Sequence, residues 1–320
     1  MLLRIVAGLA LGVVTLVALG GAASALAGRP RGAGELIDIG GRKLRLVCAG
    51  PADAPGPTVW LEAGAFGVAE DLSVVQARLA ERGVRSCAWD RAGMGLSEPG
   101  PLPRDAAAVM ADRDALIRAA RVPGPFVYVG HSMAGLAGRM WAASRPDEVV
   151  GLVLLDASTP EAAEVPGARV WIDRFRAVSR AAAVTAALGL NKPVSWLVPD
   201  RIGLPPDAAR LKRWTIGAVG HQRAAAAEVD AALDSGAQAA AAGAVPPETP
   251  VAVITAGPAE GPGRSAWKAM QAAPARESKN GSVLNLPEAT HTSMLGGANA
   301  DRIVEAVLRV MADAQARRPG

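Results

Sequence analysis

Residues 126–135, Phe-Val-Tyr-Val-Gly-His-Ser-Met-Ala-Gly, constrain the fold more than any other stretch of this chain. The apolar run Phe126–Val129 reads as a fully buried strand. Gly130-His131-Ser132-Met133-Ala134-Gly135 follows at once, and a helical pattern then covers Leu136–Ser144. Strand, sharp turn with a central serine and helix together make the pattern of a nucleophile elbow. In that turn the serine sits in a strained conformation, so its hydroxyl stands clear of the backbone. The residues two before and two after it must be small, because strand and helix approach closely there. Gly130 and Ala134 meet the requirement. The usual pattern ends in glycine; here alanine takes that place and Gly135 follows immediately.

The start of the chain has a different character. Met1-Leu2-Leu3-Arg4 is a short positive start, and Ile5 to Ala27 then carries no charge for 23 residues. The run ends in Ala25-Leu26-Ala27, an A-x-A cleavage pattern. Residues 1–27 read as a secretory signal, with an uncleaved membrane anchor as the alternative, since the run is long enough to span a bilayer. Either reading delivers the rest of the chain outside the cytoplasm: secreted, periplasmic or membrane-anchored. Residues 28–34 form a glycine-rich linker.

From residue 35 onward, β and helical patterns alternate. Glu35–Ile39 and Lys43–Cys48 flank Gly40-Gly41 as a hairpin. Strands are expected at Thr58–Glu62, Val84–Trp89, Phe126–Val129, Val149–Leu155, Pro250–Thr255 and Ser282–Leu286. Helices are expected at Asp71–Arg82, Asp105–Ala120, Leu136–Ser144, Ser265–Ala273 and Asn299–Gln315. Such alternation implies a mostly parallel sheet with helices on both faces. Residues 158–248 interrupt it with alanine-rich helical segments that carry Trp171, Phe175, Trp196 and Trp214, and they read as an inserted helical lid.

The charge pattern excludes some classes. The net charge is +4, yet no run of five or six like charges appears, so there is no nucleic-acid footprint. The chain has no C-x-x-C and only three histidines, His131, His221 and His291. A metal site is not expected, and no cofactor is called for.

Four motifs in order carry a resemblance. Leu61-Glu62-Ala63-Gly64 resembles the loop after the third strand of the α/β-hydrolase fold. Asp90-Arg91-Ala92-Gly93-Met94-Gly95-Leu96-Ser97 resembles that family's D-R-x-G-x-G-x-S turn. Gly130-His131-Ser132-Met133 resembles its elbow, and Ala289-Thr290-His291 its histidine loop. The resemblance covers roughly residues 35–316. It implies an α/β fold with a mostly parallel eight-stranded sheet, a core built from residues 35–157 and 249–320, and residues 158–248 as the cap.

The resemblance also implies roles. Ser132 is the expected nucleophile and His291 the base that takes its proton. The expected triad acid is Glu260, three residues beyond Gly257 after the strand that follows the cap; Asp156, at the end of the strand before it, is the alternative. Backbone N–H groups of Met133 and Ala65 are expected to form the oxyanion hole. Asp90 and Arg91 read as turn-forming. Trp171, Trp214 and His221 are candidate substrate contacts in the cap. Cys48 and Cys87 lie on strands that are neighbours in the family sheet, which leaves a disulfide or two buried thiols open. The implied activity is hydrolysis of an apolar small-molecule ester. The alternatives are an aminopeptidase, a perhydrolase, or a non-catalytic binding protein on the same scaffold.

Overall fold

The computed structural model describes residues 1–26, 28–165, 167–261 and 263–317. Ala27, the last residue of the cleavage pattern, and residues 318–320 lie outside them. The chain opens with helix α1 (Leu2–Leu26). Among the described residues no helix is long and apolar enough to cross a membrane.

The hairpin β1 (Glu35–Asp38) and β2 (Lys43–Ala49) comes next. Then follow β3 (Thr58–Glu62), α2 (Ser73–Glu81), β4 (Ser86–Asp90), α3 (Ala106–Ala120), β5 (Phe126–His131), α4 (Ala134–Ser144) and β6 (Val149–Leu155). Five helices follow: α5 (Ala168–Ala187), α6 (Asn191–Val194), α7 (Pro206–Gly217), α8 (Val219–Asp230) and α9 (Ala232–Ala241). The core resumes with β7 (Val251–Ala256), α10 (Arg264–Gln271), α11 (Ala273–Glu277), β8 (Gly281–Leu286) and α12 (Gly297–Ala316).

The eight strands form one sheet in the order β1-β2-β4-β3-β5-β6-β7-β8. Only β1–β2 and β2–β4 pair antiparallel; every other pair is parallel. Parallel strands need crossover helices, and these cover both faces of the sheet. That is why β3, β4, β5 and β6 are buried at every position rather than at alternate ones. Alternate side chains divide between two cores. Val59, Leu61, Val127, Val129 and Val153 pack with Leu72 and Leu79 on one side of the sheet and with Val304 and Val307 of α12. Trp60, Trp89, Tyr128, Leu152 and Leu154 pack with Val109, Leu116 and Trp141 on the other.

Directly opposed positions in the β2–β4 register, Cys48 and Cys87, are joined by a disulfide. Parallel strands also bring the carboxyl ends of β3, β5, β6, β7 and β8 to one edge of the sheet. The loops that leave that edge hold the candidate site.

Candidate active site

Ser132 directly follows β5 and has φ of +55°, a backbone conformation that costs a non-glycine residue energy. The surroundings enforce it. The Ser132 N–H donates to the Leu155 carbonyl at 3.0 Å, and its own carbonyl accepts from Gly135 N–H at 3.0 Å and Ser158 N–H at 2.9 Å. The elbow is thereby tied to the end of β6. A Cβ on Gly130 would lie 2.6 Å from the Tyr128 ring and 3.1 Å from the Ala134 carbonyl, so a larger residue there would wedge strand and helix apart. Gly64 is constrained from the other side, since a Cβ on it would lie 2.6 Å from that of Ser132.

A carboxylate and an imidazole meet beside this turn. Asp156 follows β6 with φ of +40°, and its Oδ2 lies 2.6 Å from Nδ1 of His291. A carboxylate can only accept, so Nδ1 carries the proton and Nε2 is left as the basic nitrogen. Gln271 Nε2 donates to Oδ1 of Asp156 at 3.1 Å. Burial disfavours the Asp156 charge, but the bond and charge of His291, with Gln271 and the Ala256 N–H, outweigh it and hold the carboxyl below its ordinary range.

His131, the residue before the serine, fixes the histidine loop. Its Nε2 donates to the His291 carbonyl at 2.9 Å, and the two rings are 4.5 Å apart. Burial first, and then the neighbouring His291 charge, push the His131 imidazole down to about 3. It is therefore held neutral around neutral pH.

The loop after β3 is gripped by cations through its carbonyls. Arg91 donates from Nη1 to the Ala63 carbonyl and from Nη2 to the Gly64 carbonyl at 2.9 Å. The same guanidinium holds Glu228 of α8 through three bonds of 2.8–3.0 Å. Lys212 of α7 donates to the Phe66 carbonyl at 2.9 Å and to Asp71 at 2.6 Å. Phe66 has φ of +57°, and Gly67 N–H closes a turn onto the Gly64 carbonyl at 2.9 Å. Ala65 sits inside this braced turn, half-buried like Met133 at the start of α4.

Two sequence expectations need correction, those for Glu260 and His221. The carboxylate on His291 belongs to Asp156; Glu260 stands exposed in the loop after β7. His221 is 2% exposed, and its Nδ1 accepts from the Gly95 N–H at 3.0 Å, so it braces the D-R-x-G-x-G turn from the cap. Trp214 packs on Val68, Leu96 and Leu211, while Trp171 is 63% exposed and stacked on Phe175. The bracing by Lys212 and Glu228 escaped the sequence reading. Arg91 is turn-bound as expected, and it also spans the cap–core boundary.

Beside the histidine loop lies a cavity of about 330 Å³. Its walls are mainly aliphatic, including Val198, Ile202, Leu204 and Ile216, with Lys212, Arg213 and Thr292 among the polar lining. None of Trp171, Trp214 or His221 lines it.

The sequence model of the family described as "Serine aminopeptidase, S33" matches residues 56–202. The protein named "Probable transporter efuK" of Hormonema carpetanum is 33% identical over 129 residues, which cover 39% of this chain. That match spans only 18% of the relative's own length. Among solved structures, Cfl2 from Burkholderia cenocepacia superposes with a TM-score of 0.66 at 20% identity, covering 86% of this chain and 98% of that one. The enol-lactonase from Burkholderia xenovorans LB400 superposes with a TM-score of 0.58 at 18% identity, covering 87% and 100%. Identities this low speak for the fold alone.

Proposed function

The chain belongs to the α/β-hydrolase fold family, and from that premise we propose that it is an exported serine hydrolase that cleaves a carboxylic ester. One observation carries the reading: a strained serine at the elbow, beside an imidazole whose Nδ1 is 2.6 Å from the Asp156 carboxylate. Ser132 is the nucleophile, His291 the base and Asp156 the acid.

Each group has a task in the reaction. His291 Nε2 takes the Ser132 hydroxyl proton as Oγ attacks the ester carbonyl. The backbone N–H groups of Met133 and Ala65 meet the oxyanion of the tetrahedral intermediate, each worth roughly 3–4 kcal/mol of transition-state stabilisation. His291 returns the proton to the departing alcohol, leaving an acyl-serine. Water, deprotonated by the same nitrogen, then releases the acid and restores Ser132. Asp156 keeps Nδ1 protonated and offsets the imidazolium charge.

Export is supported by the charge-free run at 5–27 and by the disulfide, which persists in oxidising compartments. An aminopeptidase needs a free carboxylate in the cap to hold the substrate amine. Glu228 is engaged by Arg91, Glu161 by Arg139, Asp230 by Arg180 and Asp173 by Arg176. Those pairings remove four of the cap carboxylates from that role.

The test uses 4-nitrophenyl esters of increasing acyl length and a fluorophosphonate label on the full chain. Turnover and labelling are expected in wild type and absent in Ser132→Ala. Asp156→Asn should lower kcat by about 10⁴-fold, the effect of losing the orienting acid in such a triad. Glu260→Ala should remain within about twofold. A wild type that is folded yet neither active nor labelled refutes the proposal.

A further inference from the structure

The lining of the cavity beside His291 carries three cations, Arg201, Lys212 and Arg213, against one carboxylate, Asp200. Arg201 and Arg213 line it, and neither has a carboxylate partner among the described residues. Arg213 stacks its guanidinium over the Trp196 ring at 4.8 Å, which fixes its plane without neutralising it. Asp200 is the one acidic residue in the lining, and it is occupied. Its Oδ1 accepts from the Ile202 and Gly203 N–H groups at 2.9 and 3.0 Å, and its Oδ2 from Leu204 N–H at 2.6 Å. Lys212 is likewise committed, to Phe66 and Asp71. Arg201 and Arg213 are therefore the lining cations with no carboxylate of their own among the described residues, beside aliphatic walls.

That space is linked to the candidate site through two of its lining residues. Thr292 in its wall is the neighbour of His291, and Lys212 in its wall holds the loop that carries Ala65. A volume of about 330 Å³ accommodates a small organic group.

We propose that the ester cleaved here carries a carboxylate remote from the scissile bond, and that Arg201 and Arg213 bind it in this cavity. The proposal rests on the serine-hydrolase reading above. A guanidinium fork matches the two oxygens of a carboxylate, and the aliphatic walls match a short methylene chain between the carboxylate and the ester.

The test compares 4-nitrophenyl hydrogen glutarate with its neutral twin, methyl 4-nitrophenyl glutarate, on the full chain. Wild type should prefer the anionic ester by about tenfold or more in kcat/KM, mainly through a lower KM, with the preference shrinking as salt is raised. In Arg201→Gln/Arg213→Gln the preference for the anionic ester should vanish. Equal turnover of the twins by wild type, or a preference that survives in the double variant, overturns the proposal. If wild type turns over neither ester and takes no fluorophosphonate label, the serine-hydrolase reading is what fails. Calorimetric titration with glutarate then judges the cavity by itself. Saturable binding in wild type that is lost in the double variant supports the carboxylate site. Absent binding overturns it, and so does inorganic phosphate binding as well as glutarate.

Discussion

Glu228→Ala should be one of the most destabilising single substitutions in the cap, and the cost can be worked from its partner. Arg91 is 4% exposed and Glu228 4% exposed, so neither charge has water to turn to. A guanidinium does not neutralise in a protein. Burial disfavours the Arg91 charge, and the charge and hydrogen bonds of Glu228 more than compensate. Removing the carboxylate leaves a buried cation whose remaining bonds go to two carbonyls. Breaking a buried pair from one side costs about 3–5 kcal/mol. For a chain of this length that is a melting shift of roughly 5–8 °C. The double variant Arg91→Met/Glu228→Met separates this account from simple loss of packing. With neither member of the pair left as a lone charge, it should be less destabilised than the sum of its single variants. Full recovery is not expected: the Ala63 carbonyl loses its donor, whereas the Gly64 carbonyl keeps the Gly67 N–H. Differential scanning calorimetry on wild type, Glu228→Ala, the two single Met variants and the double variant measures both the shift and the cycle. Strict additivity, or a Glu228→Ala shift below about 2 °C, would show that the pair is not dry and refute the reasoning.

Acid should destabilise the fold in a window set by two histidines. Burial, reinforced by neighbouring positive charge, pushes both His131 and His221 down to about 3, whereas an unfolded imidazole takes its proton near pH 6.5. Between those values the unfolded chain binds up to two more protons, so stability falls as pH is lowered, by up to about 2.7 kcal/mol per pH unit. Urea unfolding at stepped pH should show that slope, and His221→Gln should roughly halve it. The Asp156 contribution has the same direction, being present at neutral pH and lost as pH falls through its lowered value. The disulfide closes a loop of sequence separation 39, and Cys48→Ser/Cys87→Ser should cost about 4 kcal/mol on chain-entropy grounds, read from denaturant midpoints.

The features legible in the sequence are those written locally. Phe126–Val129, the small residues around Ser132 and the hairpin glycines each encode a short element through burial and turn chemistry, and the structure forms each of them. The strand order then aligned Cys48 with Cys87. The carboxylate on His291 was harder, because spacing from Gly257 says nothing about which strand end faces the imidazole. His131 decides that through space: it holds the His291 loop against the elbow, which the Leu155 carbonyl ties to the end of β6. Asp156 is the next residue, and Glu260 is left in solvent. The cap was the least legible part. Glu228 meets Arg91 across 137 residues and Lys212 meets Asp71 across 141, and no local pattern announces either pair.

Those long-range pairs change what the insert is. Lys212, His221 and Glu228 lie on two successive cap helices, and each completes a group at the edge of the core: the Phe66 carbonyl, the Gly95 N–H and the Arg91 guanidinium. Lifting α7 and α8 away as a rigid lid would uncover all three at once, and the Arg91 term alone is comparable to a large part of a typical domain's net stability of about 5–15 kcal/mol. The turn at 63–67 therefore takes its shape from both layers. The core supplies its sequence and Arg91, and the cap supplies the counter-charge and the lysine. A substitution in α7 or α8 that never touches substrate would still be felt at this turn, through the Phe66 carbonyl on one side and the Ala63 and Gly64 carbonyls on the other.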